Sequence, residues 1–291
     1  MTVLALFVPL LAGATVALVA TAAHHRLPPH LAARFITLSL ALVMVGALPT
    51  ALVLAASFLI HVPLVGAALQ WCAHTVGFHA TVSAWVGVPA VVLVGVGSVR
   101  IARVLRQHRS VRCDCGGPVQ VAADQRPFAV TLPGRGGQIV MSSGLIDLLG
   151  PDETDVVLAH EHAHARLRHD RYLLVLELSA TALPPVRPLA RWARFSVERW
   201  PDEAAAAACG SRRLVAETVG KVALFGHPTA GVLGFAGNGV GSRVSALLRP
   251  PVPAPRAAGR AALFLAAAGT AVASAYQIHH LGVLVAAMCL N

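Results

Sequence analysis

Four long stretches of this 291-residue chain contain no Asp, Glu, Lys or Arg: residues 1–23, 35–60, 82–99 and 261–278. A helix of about 20 apolar residues spans the hydrocarbon core of a bilayer. One such run can be hidden in a large soluble core, but four in so short a chain predict a multi-pass membrane protein. The first run is too long for a secretory signal core and lacks its positive leading segment, so it is read as a first transmembrane helix. Trp85 suits an interfacial anchor at the start of the third run, and its Pro89 is tolerable in a spanning helix.

The charged residues occupy what is left. Only 12% of residues are charged, against roughly 25% in an average soluble domain. All thirteen acidic residues lie between Asp114 and Glu217. The basic residues are Arg apart from Lys221, and they cluster beside the apolar runs. Arg26 and Arg34 precede the second run. Arg100, Arg103, Arg106, Arg109 and Arg112 follow the third, and Arg249, Arg256 and Arg260 precede the fourth. All these flanks fall on one side of the membrane if the N-terminus is outside. The positive-inside tendency then predicts a cytoplasmic middle region. Anionic headgroups account for the net charge of +10, so no nucleic-acid partner is expected. The five cysteines include a CxC at Cys113 and Cys115. They suggest plain thiols in a reducing compartment.

The expected fold class is mainly α. Four transmembrane helices hold an α+β domain between the third and the fourth. The expected divisions are a membrane region at 1–112, a soluble domain at 113–258 and a last helix with its tail at 259–291. Residues 120–130 and 138–142 read as strands joined by LPGRGG, and 143–149 as a short helix stopped by Gly150. Pro151, Asp152 and Glu153 suit the first turn of a helix, and Arg166 and Arg168 its last, which predicts a helix over 151–168.

That helix carries His160-Glu161-His162-Ala163-His164. Residues four apart share a helical face, so His160 and His164 can direct both imidazoles at one zinc ion. Glu161 sits one step round, within reach of a zinc-bound water whose pKa the metal lowers to about 7, and suits the general base. His162 and His169 read as a solvated helix end. A hydrolytic zinc needs a third protein ligand and an open position. Glu198 and Asp202, four apart on a second helical stretch over 187–210, offer a ligand and a carboxylate to accept from a ligating imidazole. An exposed Glu198 paired with Arg194 is the plainer alternative. Pro201, inside that stretch, predicts a kink or a helix end near Glu198.

GRGGQIVMSSGLIDLLGPDETDVVLAHEHAH and ERWPDEAA, set between three apolar runs and a fourth, resemble the BlaR/MecR-type membrane zinc metallopeptidases. HtpX-type membrane proteases share much of the motif more distantly. The resemblance implies a zincin-like domain binding one zinc per chain through His160, His164 and Glu198. It implies Glu161 as catalytic base and Asp202 as the acid behind the ligands. It also implies that residues 137–142 form an edge strand able to hold an extended peptide. His227 and Arg243 stand where related proteases often place oxyanion or substrate contacts. The expected partners are the bilayer and a protein or peptide substrate. The chain stops where the best-known BlaR-type receptors continue into an external sensor, so antibiotic sensing is not expected. A non-catalytic signalling or scaffold protein with a structural zinc is the alternative function.

Overall fold

The computed structural model describes residues 26–63, 82–110, 119–133, 137–225 and 239–290. Among these, three helices are long and apolar enough to cross a membrane: α1 (Pro29–Leu59), α2 (Ala84–Ser110) and α9 (Ala257–Leu290). The expected span at 3–23 lies outside the described residues. Trp85, Val88, Val92 and Val96 on α2, and Phe264, Leu265 and Val272 on α9, are exposed large apolar side chains. A water-facing helix would hide such a surface, whereas lipid covers it without cost. Arg26 and Arg34 lie at the start of α1, Arg103, Arg106 and Arg109 toward the end of α2, and Arg256 and Arg260 at the start of α9.

Between α2 and α9 the described residues form a small sheet and six α-helices. The strands are β1 (Val119–Ala122), β2 (Ala129–Thr131) and β3 (Ile139–Ser142). The single strand expected over 120–130 is therefore two. A bend at Asp124–Arg126 divides it, closed by Asp124 accepting from the Arg126 backbone N–H and guanidinium. The sheet order is β1-β3-β2, with β1 parallel and β2 antiparallel to β3. The strand expected at the edge, β3, is thus central. Once the chain bends at Asp124, β2 takes one flank of β3 and β1 the other, which leaves β2 as the edge facing the helices.

The helices are α3 (Ser143–Leu148), α4 (Pro151–Leu167), α5 (His169–Ala182), α6 (Arg187–Cys209), α7 (Arg212–Phe225) and α8 (Val240–Leu247). Ser142 starts α3 by accepting from the Leu145 N–H. Glu153 closes the start of α4 by accepting from the Gly150 N–H, and Lys221 on α7 holds the same carboxylate at 2.6 Å. Gly210, left-handed at φ 71°, ends α6.

Two apolar cores share α6. Its C-terminal half, with Ala205 and Ala206, joins Ile139, Met141, Leu145, Val156, Val157, Val215 and Val219 under the sheet. Its N-terminal half, with Leu189, Ala190, Ala193 and Val197, joins Leu173 and Leu176 of α5 and Ala33, Ile36 and Leu40 of α1. The α5–α6 pair therefore packs along a membrane-type helix, and Ser179 reaches Met44 there. Glu198 and Asp202 fall at the junction of the two cores.

Candidate metal centre

Helix α4 brings His160, Glu161 and His164 to one buried face, while His162 points to solvent. Across from them, α6 runs without a break through Pro201. The helix end expected at Glu198 does not form, and Glu198 and Asp202 stay one turn apart on one face. Pro201 itself is buried, so packing around it outweighs the hydrogen bond its ring removes. Arg194 turns to Glu177 instead of Glu198, with 3.5 Å between them.

Nε2 of His160 and Nε2 of His164 lie 3.1 Å apart, and each is 3.9 Å from Oε2 of Glu198. A point equidistant from the three atoms is about 2.1 Å from each, within the ~2.0–2.2 Å at which zinc holds nitrogen and carboxylate oxygen. The other oxygen of Glu198, Oε1, is buried with no hydrogen-bond partner among the described residues. A buried carboxylate oxygen without a partner is costly unless a cation completes its surroundings. Two imidazoles and a carboxylate are also the donor set that catalytic zinc takes. Among the described residues these three form the cluster able to hold a metal, and the site fits zinc by distance and by chemistry.

The surroundings tune the donors. Burial lowers the pKa of His164 well below the ordinary range, and the charges of nearby His and Arg243 add to this, so it presents a neutral, ligating imidazole. Burial raises Glu198, against the pull of Arg243. Glu161 is raised by burial too, with His160 and a hydrogen bond from Thr131 opposing. Thr131 Oγ1 stands 2.7 Å from Glu161 Oε2, so the edge strand β2 orients that carboxylate.

Asp202 has no exposed side-chain surface, and its Oδ1 is 3.1 Å from Nδ1 of His160. Arg243 of α8 grips the same carboxylate with two donors, Nη2 at 2.6 Å and Nε at 2.8 Å. Burial pushes Asp202 up, but Arg243 and His160 outweigh it and hold the carboxyl far below its usual range. Arg243 Nη1 also comes within 3.5 Å of Glu198 Oε2. Its guanidinium thus orders both carboxylates, a role broader than the substrate contact expected of it. His227 lies outside the described residues, as do Cys113 and Cys115. Trp192 and Phe195 line a groove with Arg191, Arg199, Ser242 and Arg249 between α6 and α8.

His169, expected at a solvated helix end, is instead fully buried, with its Nδ1 3.0 Å from Nδ1 of His164. Burial, with the charge of His160, depresses its pKa to about 4. The two histidines are five positions apart, which on a continuous helix would turn them ~140° from each other. Arg168 breaks the helix in left-handed conformation (φ 55°, ψ 46°) and folds His169 back, and no residue type in the sequence signals that turn.

The family model of Peptidase family M48 matches residues 117–228, a stretch that includes His160, Glu161, His164, Glu198 and Asp202. No curated protein and no solved structure matches the chain. The match, the metal-capable cluster and the three apolar helices together support a membrane-associated metallopeptidase.

Proposed function

We propose that the protein is a zinc-dependent endopeptidase anchored by its apolar helices, with His160, His164 and Glu198 as ligands and Glu161 as general base. The observation that carries this reading is the convergence of the three donor atoms beside a buried, oriented Glu161. Among the described residues three protein donors converge, the number that a catalytic zinc takes. The placement of Arg residues at one end of each described apolar helix supports a cytoplasmic site, with the N-terminus outside. The substrate is a protein reached from that side, either a repressor cleaved in signalling or a damaged membrane protein.

Zinc, when bound, supplies a Lewis acid that makes water acidic near neutral pH and polarises a peptide carbonyl. Glu161 takes the proton of the attacking water and delivers it to the leaving amine. Its burial raises its proton affinity toward the working pH, which suits a group that must both accept and donate. Thr131 keeps the carboxylate aimed. Asp202 holds His160 through Nδ1, leaving Nε2 for the metal.

Glu161→Gln should keep one zinc per chain by elemental analysis and lose cleavage of a membrane-reconstituted protein substrate by at least ~100-fold. His160→Ala should lose the zinc as well. Undiminished proteolysis in Glu161→Gln would sink the mechanism.

A further inference from the structure

We infer that His169 is a positioning residue for the ligating imidazole of His164, and that it is itself held from the side of membrane helix α1. The inference rests on the metal-site reading above. Metal-bound histidines almost always donate their second ring N–H to a carboxylate, a backbone carbonyl or a water. His160 follows this rule through Asp202. His164 does not: its Nδ1 faces another imidazole, His169 Nδ1, at 3.0 Å. Asp170, the acid that follows His169 in sequence, is turned to Arg168 instead.

Two ring nitrogens approach this closely only when one carries the proton and the other offers a lone pair. Nε2 of His164 points to His160 and Glu198, so its lone pair belongs to the metal. Nδ1 of His164 therefore donates and Nδ1 of His169 accepts, with the single N–H of neutral His169 on Nε2. The rings meet edge to face, with centroids 4.8 Å apart and planes at 86°. A neutral acceptor aims His164 without placing a second anion beside the ligands.

Nε2 of His169 has no hydrogen-bond partner among the described residues, so its ring is held by packing instead. Trp200 lies with its centroid 5.0 Å away and Tyr172 meets the ring edge-on at 5.8 Å. The Arg34 guanidinium of α1 sits 4.8 Å from the Trp200 ring centroid. The left-handed Arg168, the only non-glycine residue at positive φ among those described, delivers His169 to this slot.

The test uses the full chain in detergent, with zinc affinity read by chelator competition and coordination read from the visible spectrum of the cobalt-loaded protein. His169→Phe keeps the packing and removes the acceptor. It should weaken zinc about 10–100-fold and shift the cobalt bands, with the zinc-free melting temperature near wild type. His169→Asn restores an acceptor oxygen and should recover affinity to within a few-fold. Wild-type affinity and an unshifted spectrum in His169→Phe would overturn the inference, as would a folded His169→Asn no better than His169→Phe. If His169→Phe fails to fold, His169→Gln against His169→Leu puts the same question to side chains of similar length. His164→Ala separates the two claims. If it loses zinc while His169→Phe does not, only the positioning role fails; if it keeps zinc, the metal reading fails.

Discussion

Asp202 has no exposed surface and still bears a charge, because Arg243 and His160 take up its lone pairs inside the protein. Breaking such a pair by removing one partner's charge leaves the other buried and uncompensated, at about 3–5 kcal/mol. Asp202→Asn should therefore lower the stability of the zinc-free protein by that amount in chemical denaturation. Zinc affinity should fall about 10–100-fold as His160 loses its acceptor. An Asn variant as stable as wild type would show that Arg243 finds another partner. At this scale the sequence was legible where spacing within one helix decides the face. The i, i+4 pairs His160/His164 and Glu198/Asp202 emerge as expected. It singled out Arg243 only as a possible substrate contact and not for the carboxylate it grips, 41 residues away, and it was misleading on His169, since a left-handed Arg leaves no compositional trace.

At the scale of elements, helix α4, which bears the candidate histidine ligands, is aligned by what touches its far end. Gly137, at φ 62°, lies against α4, and a Cβ there would come 2.5 Å from Cβ and 2.9 Å from Cα of Ala165. Ala165 follows His164 directly. Gly137→Ala combines a left-handed backbone with a contact against a helix main chain, so one of them must move. We expect a loss of about 1–3 kcal/mol in thermal unfolding and weaker zinc binding, as α4 is pushed out of register with α6. Unchanged zinc affinity would mean that the loop yields rather than the helix. The helices themselves were readable, α4 from its Pro151 and acidic first turn and α6 to its closing Gly210. The strand at 138–142 was readable too, but its central place in the sheet was not, because hydrophobic patterning marks strands but not which flank of a sheet each will take.

Across the whole molecule, the region of the candidate metal site is not a free domain on a tether. Helices α5 and α6 pack along α1, and α1 is bound to α9 by a polar seam. In that seam Gln277 donates to Thr50, Thr50 to the carbonyl of Gly46, and Ser274 to the carbonyl of Leu42. Small and polar residues of this kind let helices approach closely where lipid provides no hydrophobic drive. A Cβ at Gly46 would stand 2.9 Å from Gln277 Oε1, whereas one at Gly269 meets nothing within 4 Å. Gly46→Leu should lower the melting temperature in detergent, by an overpacking cost of about 1–3 kcal/mol, while Gly269→Leu should not. Equal melting temperatures for the two variants would remove the seam from the account.

Sequence alone determined the elements: apolar runs long enough for a bilayer, a capped helix bearing His160, Glu161 and His164, and a second helix bearing Glu198 and Asp202. These follow from short-range chemistry, since hydropathy, helical periodicity and caps each act within a few residues. Tertiary structure alone decided the rest. It made β3 central, brought the three donor atoms around one point, set Arg243 on Asp202, and wedged His169 between a candidate ligand and a tryptophan reached from α1. Such contacts join residues far apart in the chain, or turn on one backbone angle that many residue types can adopt. Only packing selects among the arrangements that local rules allow.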